Sequence, residues 1–295
     1  KGNIDTDTSR IAVVGTFDGV HRGHRFLIDF MLSQASNRGL EPSVITFAQH
    51  PLSIIRPQDV PQQLASVDER IEMLQKCGTQ TCIMLDFDHQ LRQLTARQFL
   101  EMIGRDYGVR MLIIGFNTRF GCDCVDSFEE YQRLGKEVGV EVIQAPEYGS
   151  GICSSAIRRM IKEGAVAGAN EALGYRYAIT GKVVEGKQLG RTIGFPTANM
   201  DISQRTDITN GVYRSVIEID GITYPAMSNV GVRPSVDSTG RWLETHIFDF
   251  SGNLYGKTLR VELLEKIRNE RKFSSVAELR AQLEHDMEYC KENVK

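Results

Sequence analysis

Residues 11–24 read Ile-Ala-Val-Val-Gly-Thr-Phe-Asp-Gly-Val-His-Arg-Gly-His, so that an apolar run gives way through glycines to a polar stretch. A short run rich in Val and Ile predicts a buried β-strand, and the polar residues after it predict the start of a helix. Similar runs of strand length recur along the first half of the chain, at residues 43–47, 82–87, 111–116 and 140–145. The segments between them have helical patterning, so strands and helices alternate in this half.

Strands that are apolar on both faces and separated by helices cannot pair as hairpins and need crossover connections. They form an open parallel sheet with helices on both sides, and we predict a Rossmann-like α/β domain over residues 1–172. Several of its helices are expected to begin with a capping box, in which a Ser or Thr caps the first turn and a Glu or Gln reaches back. The candidate pairs are Ser66 with Glu69, Thr95 with Gln98, and Ser127 with Glu130.

The second half of the chain has a different period. Residues 212–219 alternate between apolar and polar, and Asp220-Gly221 is a hairpin signal before residues 222–225. Antiparallel strands of this length predict a small closed barrel, because closure removes exposed strand edges. The chain ends in a predicted helix, and we assign the antiparallel β-barrel with this helix to residues 173–295. The helix is predicted to be capped by Ser275 and Glu278, with an apolar stripe of Val276, Leu279, Leu283 and Met287.

Composition excludes several classes of protein. The chain has 295 residues, 41% of them hydrophobic and 25% charged, which predicts a packed globular protein. Its net charge of −3 gives no diffuse attraction to nucleic acid or to anionic membranes, so we expect small-molecule partners. No apolar run reaches the ~18–20 residues that span a bilayer, and the N-terminal residues are polar. The six cysteines are scattered, which favours reduced thiols and a cytoplasmic location.

The stretch after the first predicted strand is a candidate phosphate site. Ligands of open parallel sheets lie at the carboxyl ends of the strands, where a helix N-terminus offers free N–H groups. His21 and His24 lie three residues apart at this helix start, so both imidazoles can face one ligand. Gly19 and Gly23 belong to the same stretch, and Gly23 allows a close approach of the backbone. The alternative is a turn that carries two exposed histidines.

A second candidate site begins in residues 186–199, Gly-Lys-Gln-Leu-Gly-Arg-Thr-Ile-Gly-Phe-Pro-Thr-Ala-Asn, which combine three glycines with two cations. Such a segment forms either a backbone nest for phosphate or a glycine-rich β-turn. Further along, Glu244 alternates with His246 on a predicted strand, so both side chains point to one face. A carboxylate in this position is either a general base or a solvated strand residue.

These segments carry a family resemblance. His21-Arg22-Gly23-His24 matches the H-x-G-H signature of the nucleotidylyltransferase superfamily, and residues 16–20 resemble the first motif of bacterial bifunctional riboflavin kinase/FMN adenylyltransferases. The segments similar to later motifs of that family are residues 46–51, 115–121 and 152–158 for the adenylyltransferase, and residues 186–199, 229–235, 244–250 and 267–273 for the kinase. The resemblance runs from about Ile11 to Asp286.

The resemblance implies that the chain phosphorylates riboflavin to FMN and then adenylylates FMN to FAD, with ATP and Mg²⁺ in both reactions. For the adenylyltransferase it implies that His21 and His24 bind ATP phosphates and stabilise the transition state. The other residues that it places at ATP or phosphate are Asn117, Ser154, Ser155 and Arg158.

For the kinase, the resemblance implies that Thr197 and Asn199 hold Mg²⁺ and the phosphates of ATP. It places Gly190, Arg191 and Gly194 in the same ATP segment. Glu244 is then the general base, because the neutral 5′-hydroxyl of riboflavin must lose a proton as it attacks the γ-phosphate.

Two alternatives remain open at this point. Thr118 stands where the family usually has Phe, and no basic residue follows Gly121 closely, which is compatible with a riboflavin kinase whose N-terminal domain is inactive. A non-catalytic flavin-binding regulator is the other alternative.

Overall fold

The computed structural model describes residues 5–116, 118–149, 151–186, 189–203, 208–234 and 239–292. The chain divides into two compact units, Lys1–Ser154 and Ser155–Lys295. The strands are β1 Arg10–Val14, β2 Glu41–Phe47, β3 Thr81–Leu85, β4 Val109–Ile114, β5 Glu141–Gln144, β6 Ala178–Lys182, β7 Ala198–Asp201, β8 Gly211–Ile219, β9 Ile222–Pro234, β10 Thr239–Ile247 and β11 Thr258–Arg268. The helices are α1 Arg22–Arg38, α2 Leu52–Ile55, α3 Val67–Lys76, α4 His89–Gln93, α5 Ala96–Tyr107, α6 Phe128–Val138, α7 Ser154–Glu163, α8 Val166–Leu173, α9 Leu189–Thr192 and α10 Val276–Glu292.

The first unit contains the predicted parallel sheet. Its five strands are ordered β3-β2-β1-β4-β5, and every neighbouring pair is parallel. One apolar cluster packs on each face of the sheet, because the strands are buried on both sides. The first strand ends at Val14, since the chain turns out of the sheet after Gly15. The central position of β1 places the loop that follows it in the middle of the carboxyl edge.

The predicted caps are largely confirmed. Complete capping boxes begin α3, with Ser66 and Glu69, and α5, with Thr95 and Gln98. At the start of α6, the Ser127 side chain accepts a hydrogen bond from the backbone of Glu130. Each of these bonds joins residues three apart, so sequence spacing alone can identify them.

The second unit is built on a six-stranded antiparallel sheet ordered β6-β11-β8-β9-β10-β7. The bridge between Val184 and Asn199 joins its two edges, so the sheet forms a nearly closed barrel. Asp220 and Gly221 make the predicted hairpin turn, with φ of 51° and 79°. These left-handed conformations match the type I′ turn that two-residue hairpins favour.

The C-terminal helix differs in part from its prediction. Ser275 caps it, but the Glu278 carboxylate accepts hydrogen bonds from Ser274 rather than reaching back to Ser275. Val276 was predicted to belong to the apolar stripe that packs on the barrel, but it is 57% exposed. The residues that the helix buries are Asp286 and Cys290. The first turn of the helix extends beyond the barrel surface, and the later turns pack against the barrel. Within the described residues, no helix combines the length and apolarity needed to cross a membrane.

Two candidate active sites

The loop after β1 has an unusual backbone. Phe17, Gly19 and Val20 all adopt positive φ, at 49°, 76° and 33°. For Phe17 and Val20 this conformation costs on the order of 1–3 kcal/mol each, and it persists because both side chains are buried in the core. A hydrogen bond from the Val20 N–H to the Phe17 carbonyl at 3.0 Å closes the turn. The buried side chains and this hydrogen bond together define the shape of the loop.

The buried residue Asp18 fixes this loop to its surroundings. Its carboxylate accepts hydrogen bonds from the backbone N–H groups of Leu64, at 2.8 Å, and Ala65. Its carbonyl accepts a hydrogen bond from the Ser154 hydroxyl at 2.9 Å. The structure thus brings Ser154, one of the predicted phosphate ligands, directly against the glycine-containing loop.

Two further predicted ligands lie on the helix that Ser154 begins. Ser155 is exposed, and its hydroxyl oxygen accepts a hydrogen bond from the Arg158 guanidinium at 3.4 Å. Both residues belong to the second compact unit. Asn117, predicted to contact ATP, lies outside the described residues.

Arg70 supports the loop after β1 in a way that the sequence did not indicate. Its fully buried guanidinium donates to the carbonyls of Thr16, at 3.0 Å, and Phe47, at 2.6 Å. These carbonyls lie just beyond β1 and at the end of β2, so Arg70 braces the carboxyl edge of the sheet. Burial lowers the pKa of Arg70, and the Asp18 carboxylate opposes that shift. The only signal in the sequence was a cation four residues before Leu74 on a buried helix face.

The two histidines of the H-x-G-H stretch lie together. His21 is the N-cap of α1, and its Nδ1 accepts a hydrogen bond from the His24 N–H at 3.4 Å. The two imidazoles are stacked, with centroids 3.7 Å apart and planes at 18°. A Cβ on Gly23 would lie 3.2 Å from His21 Cε1, so glycine at this position lets the ring lie over the backbone. The two imidazoles therefore lie side by side at the start of α1, and their joint role at a ligand stays a prediction.

Burial determines the charge of these rings. Desolvation lowers the pKa of His21 to about 4. Desolvation, together with the neighbouring His21, also holds the pKa of His24 well below its ordinary value. Both imidazoles are therefore neutral at pH 7. Because His21 Nδ1 accepts a hydrogen bond, its proton lies on Nε2, which makes that atom a hydrogen-bond donor.

The proposed kinase base, Glu244, lies on the outer face of the barrel. Leu243 and Thr245 are buried inside it, so Glu244, between them on β10, points outward. Glu244 is directly opposite Asn199 of β7 and Asn229 of β9 in the strand registers. Residues opposite each other in antiparallel strands share a face, so two amide side chains flank the carboxylate. Asn229 lies in a segment with family resemblance, but the sequence did not identify it as a site residue.

Two cavities meet at Thr197. The first, about 330 Å³, has one apolar side and contains Glu244. The second, about 560 Å³, contains Arg191 and Asn199. The first is lined by Gly190, Ile193, Phe195, Thr197, Val212, Met227, Ser228, Asn229, Glu244, His246, Arg268, Glu270, Arg271, Phe273, Leu279 and Leu283. The second is lined by Val183, Arg191, Pro196, Thr197, Ala198, Asn199, Thr245, Ile247, Phe250, Ser251, Gly252, Asn253, Leu254 and Tyr255.

The glycines of this segment have backbone roles. A Cβ on Gly190 would lie 2.2 Å from the carbonyl oxygen of Phe195, whose N–H donates to the Gly190 carbonyl at 2.7 Å. Gly194 has a φ of 89°, a conformation that a side chain would strain. A Cβ on Gly186 would lie 2.6 Å from the amide nitrogen of Asn199. These glycines shape a segment that contains the short helix α9 and a turn at Gly194 and that leads to Thr197 and Asn199.

The oxygens beside this loop suit a hard cation. Asn199 Nδ2 donates to the Thr197 carbonyl at 3.1 Å, which orients the amide, and Thr197 lines both cavities. Mg²⁺ prefers oxygen donors and is usually held by few protein groups together with substrate phosphates. Among the described residues no cluster of three or more His, Cys, Asp or Glu side chains converges to hold a metal. The residues present fit Mg²⁺ carried in with a nucleotide.

A third cavity lies in the first unit. It measures about 1260 Å³ and runs along the edge strand β3 and helix α5. Its lining includes none of the predicted site residues.

The comparisons with known proteins cover both units. Residues 3–156 match the family model described as FAD synthetase, and residues 173–294 match the model described as riboflavin kinase. The bifunctional riboflavin kinase/FMN adenylyltransferase of Escherichia coli (strain K12) is 35% identical, over 94% of this chain and 90% of its own length. The protein of the same name from Pseudomonas fluorescens is 34% identical over the same shares.

Among solved structures, one titled "Crystal Structure of Macrolide-efflux Protein from Streptococcus pneumoniae" superposes with a TM-score of 0.90 at 32% identity. The match covers 99% of this chain and 97% of that one. Its title names another activity, whereas both family models and the curated relatives name the two flavin reactions. The chain belongs to the family of bifunctional riboflavin kinase/FMN adenylyltransferases, enzymes that make FMN from riboflavin and FAD from FMN with ATP.

Proposed function

We propose that adenylyl transfer takes place at the loop after β1 and that riboflavin phosphorylation takes place on the outer face of the barrel. The observation that carries the second assignment is the pairing of Glu244 with Asn199 across neighbouring strands, beside a threonine shared by two cavities. We assign the adenylyltransferase to residues 1–172 and the kinase to residues 173–295. The matched ranges 3–156 and 173–294 support this division.

The adenylyltransferase site needs to stabilise charge rather than to remove a proton. FMN attacks through a phosphate that is already ionised at pH 7, so no strong protein base is required. The neutral His21 offers Nε2–H toward phosphate oxygens, and the loop at Gly19 and Gly23 allows the backbone to approach. A neutral donor binds phosphate less tightly in the ground state than a cation does, which favours stabilisation of the charge that develops in the transition state.

The remaining adenylyltransferase ligands are assigned by family resemblance. Ser154 already contacts the loop through the Asp18 carbonyl, so its position supports a role at the phosphates. Arg158 would neutralise charge on the departing pyrophosphate, with Ser155 beside it. Asn117 would contact ATP.

The kinase site needs a base, because the riboflavin hydroxyl is neutral. We assign Glu244 to this role and place the flavin in the cavity of about 330 Å³, whose apolar side suits an aromatic ring system. ATP then occupies the cavity of about 560 Å³, with its γ-phosphate near Thr197, where the cavities meet. Gly190, Arg191 and Gly194 would contact its phosphates.

Mg²⁺ would be held by Thr197 and Asn199 together with the phosphates of ATP. When bound, it neutralises the charge of the triphosphate. The amide of Asn199 is oriented by the Thr197 carbonyl, so the site is shaped before nucleotide arrives. We further propose a cytoplasmic location, which the six free thiols support.

Product chromatography with matched variants tests both assignments. Glu244→Gln keeps the side-chain shape and should reduce FMN synthesis by ~10²–10⁴-fold, while adenylylation of supplied FMN is unchanged. His24→Ala should abolish FAD synthesis while FMN synthesis persists. The exposed residues Glu218 and His89 provide controls, and Glu218→Gln and His89→Ala should retain both reactions. Loss of both reactions in a folded His24→Ala enzyme, or normal kinase turnover in Glu244→Gln, would contradict the assignment.

A further inference from the structure

The His246 side chain makes a specific contact beside the kinase site. His246 lies two residues after Glu244 on β10, and its Nδ1 is 2.7 Å from the carbonyl oxygen of Pro196. A carbonyl oxygen can only accept a hydrogen bond, so Nδ1 must carry the proton. That carbonyl belongs to the peptide unit that leads into Thr197.

The ring has little freedom to move away from this contact. Phe195 and Phe248 both pack edge-on against it, with centroids 5.1 and 5.6 Å from the imidazole centroid. Burial lowers the pKa of His246, and the bond to the Pro196 carbonyl opposes the shift. A neutral ring whose Nδ1 donates is fixed in one tautomer, which suits a holding role rather than that of a second base.

The contact forms part of a pattern along residues 196–199. The carbonyl of Pro196 is held by the His246 side chain, and the carbonyl of Thr197 is held by the Asn199 side chain. Two successive peptide units are therefore clamped by side chains, immediately before the strand that carries Asn199. Thr197, the residue that joins the two clamped peptide units, lines both cavities.

We propose that His246 is a positioning residue for riboflavin phosphorylation, which holds the Pro196–Thr197 peptide so that Thr197 and Asn199 meet the nucleotide. The proposal rests on the nucleotide role assigned to these two residues. Displacement of a positioning group by about 1 Å can cost about 100-fold in rate, so loss of the clamp should affect turnover more than folding.

Isosteric variants separate this role from simple packing. The amide nitrogen of Asn can occupy the place of Nδ1, whereas that of Gln reaches the place of Nε2. We expect His246→Asn to keep kcat/KM for MgATP within about threefold of the wild type. We expect His246→Gln and His246→Ala to lose about 10- to 100-fold, while melting temperatures are matched and adenylylation of FMN is unchanged. Equal losses in the Asn and Gln variants would overturn the proposal.

Two further measurements keep the result decisive. Nitrogen-15 NMR of the intact wild-type enzyme should show the proton of His246 on Nδ1, and the Nε2–H tautomer would overturn the proposal even if a variant failed to fold. Thr197→Ala tests the underlying assignment separately and should raise the MgATP requirement of the kinase. Wild-type behaviour of His246→Gln beside a defective Thr197→Ala would refute only the positioning role. A normal Thr197→Ala would refute the nucleotide role of the segment and the positioning proposal with it.

Discussion

The low pKa of His21 links the stability of the first unit to pH. The pKa is lowered from 6.5 to about 4 by burial, and the side chain is only 5% exposed. The unfolded chain therefore takes up the proton first as pH falls. The contribution of this ring to the free energy of unfolding is fully present above pH 6.5 and is lost progressively as pH falls toward 4. Between pH 7.5 and 5.0 this single group should reduce the free energy of unfolding by ~2 kcal/mol.

The variant His21→Asn isolates this contribution. Asn is a good N-cap, and its side-chain oxygen can accept the His24 N–H bond that Nδ1 accepts in the wild type, but it does not titrate. The single tryptophan, Trp242, lies in the second unit, so fluorescence would not report on the first. Urea-dependent hydrogen exchange of the α1 amides in the intact protein gives the required free energies at both pH values.

Between pH 7.5 and 5.0, the free energy of unfolding of the wild type should fall by ~2 kcal/mol more than that of His21→Asn. A histidine NMR titration should place the His21 midpoint near 4. A midpoint near 6.5, together with a difference between the two proteins below about 0.5 kcal/mol, would show that the ring is not desolvated. The proposal that a neutral imidazole serves the adenylyl transfer would then be wrong.

Three substitutions test other features of the two sites. Gly23→Ala places a methyl group 3.2 Å from the His21 ring and should reduce adenylylation about tenfold, with kinase kinetics unchanged as the control. Gly190→Ala places a methyl group 2.2 Å from a loop carbonyl and should reduce kinase turnover more strongly, whereas normal turnover would show that the loop can move aside. Asp286→Asn breaks a buried pair with Arg268, joined at 2.6 Å, and should lower the stability of the second unit by ~3–5 kcal/mol in denaturant unfolding; a change below about 1 kcal/mol would contradict the buried pairing.

The sequence predicted features whose causes are local. Caps join residues three apart, and the Asp220-Gly221 turn depends on two adjacent residues, so both can be identified from spacing. The position of His21 and His24 at a helix start also follows from the order of strand, glycine and helix. These elements required no knowledge of the tertiary structure.

Features that depend on distant partners were missed. Arg70 is bonded to carbonyls 54 and 23 residues away, and the Asp18 carboxylate contacts the backbone 46 residues away. Neither distance leaves a periodic signal in the sequence. Asn229 became visible as a site residue only through the register of β9 and β10. At Val276 the sequence instead predicted a contact that the structure lacks. The helical period was correct, but α10 begins before the part of the barrel surface that it covers.

The bridge at Asn199 gives substitutions at Asn199 and at Thr197 different expected effects. Its backbone carbonyl accepts the Val184 N–H at 2.9 Å and so fastens the seam of the barrel, while its side chain is one of the proposed cation ligands. Asn199 thus combines a structural contact with a proposed chemical role, whereas no bridge between the described residues involves Thr197. Substitution of Thr197 should therefore reduce kinase activity and leave the barrel folded. Substitution of Asn199 should in addition weaken the closure of the barrel. Selection should therefore tolerate fewer substitutions at Asn199 than at Thr197, although the two positions lie two residues apart.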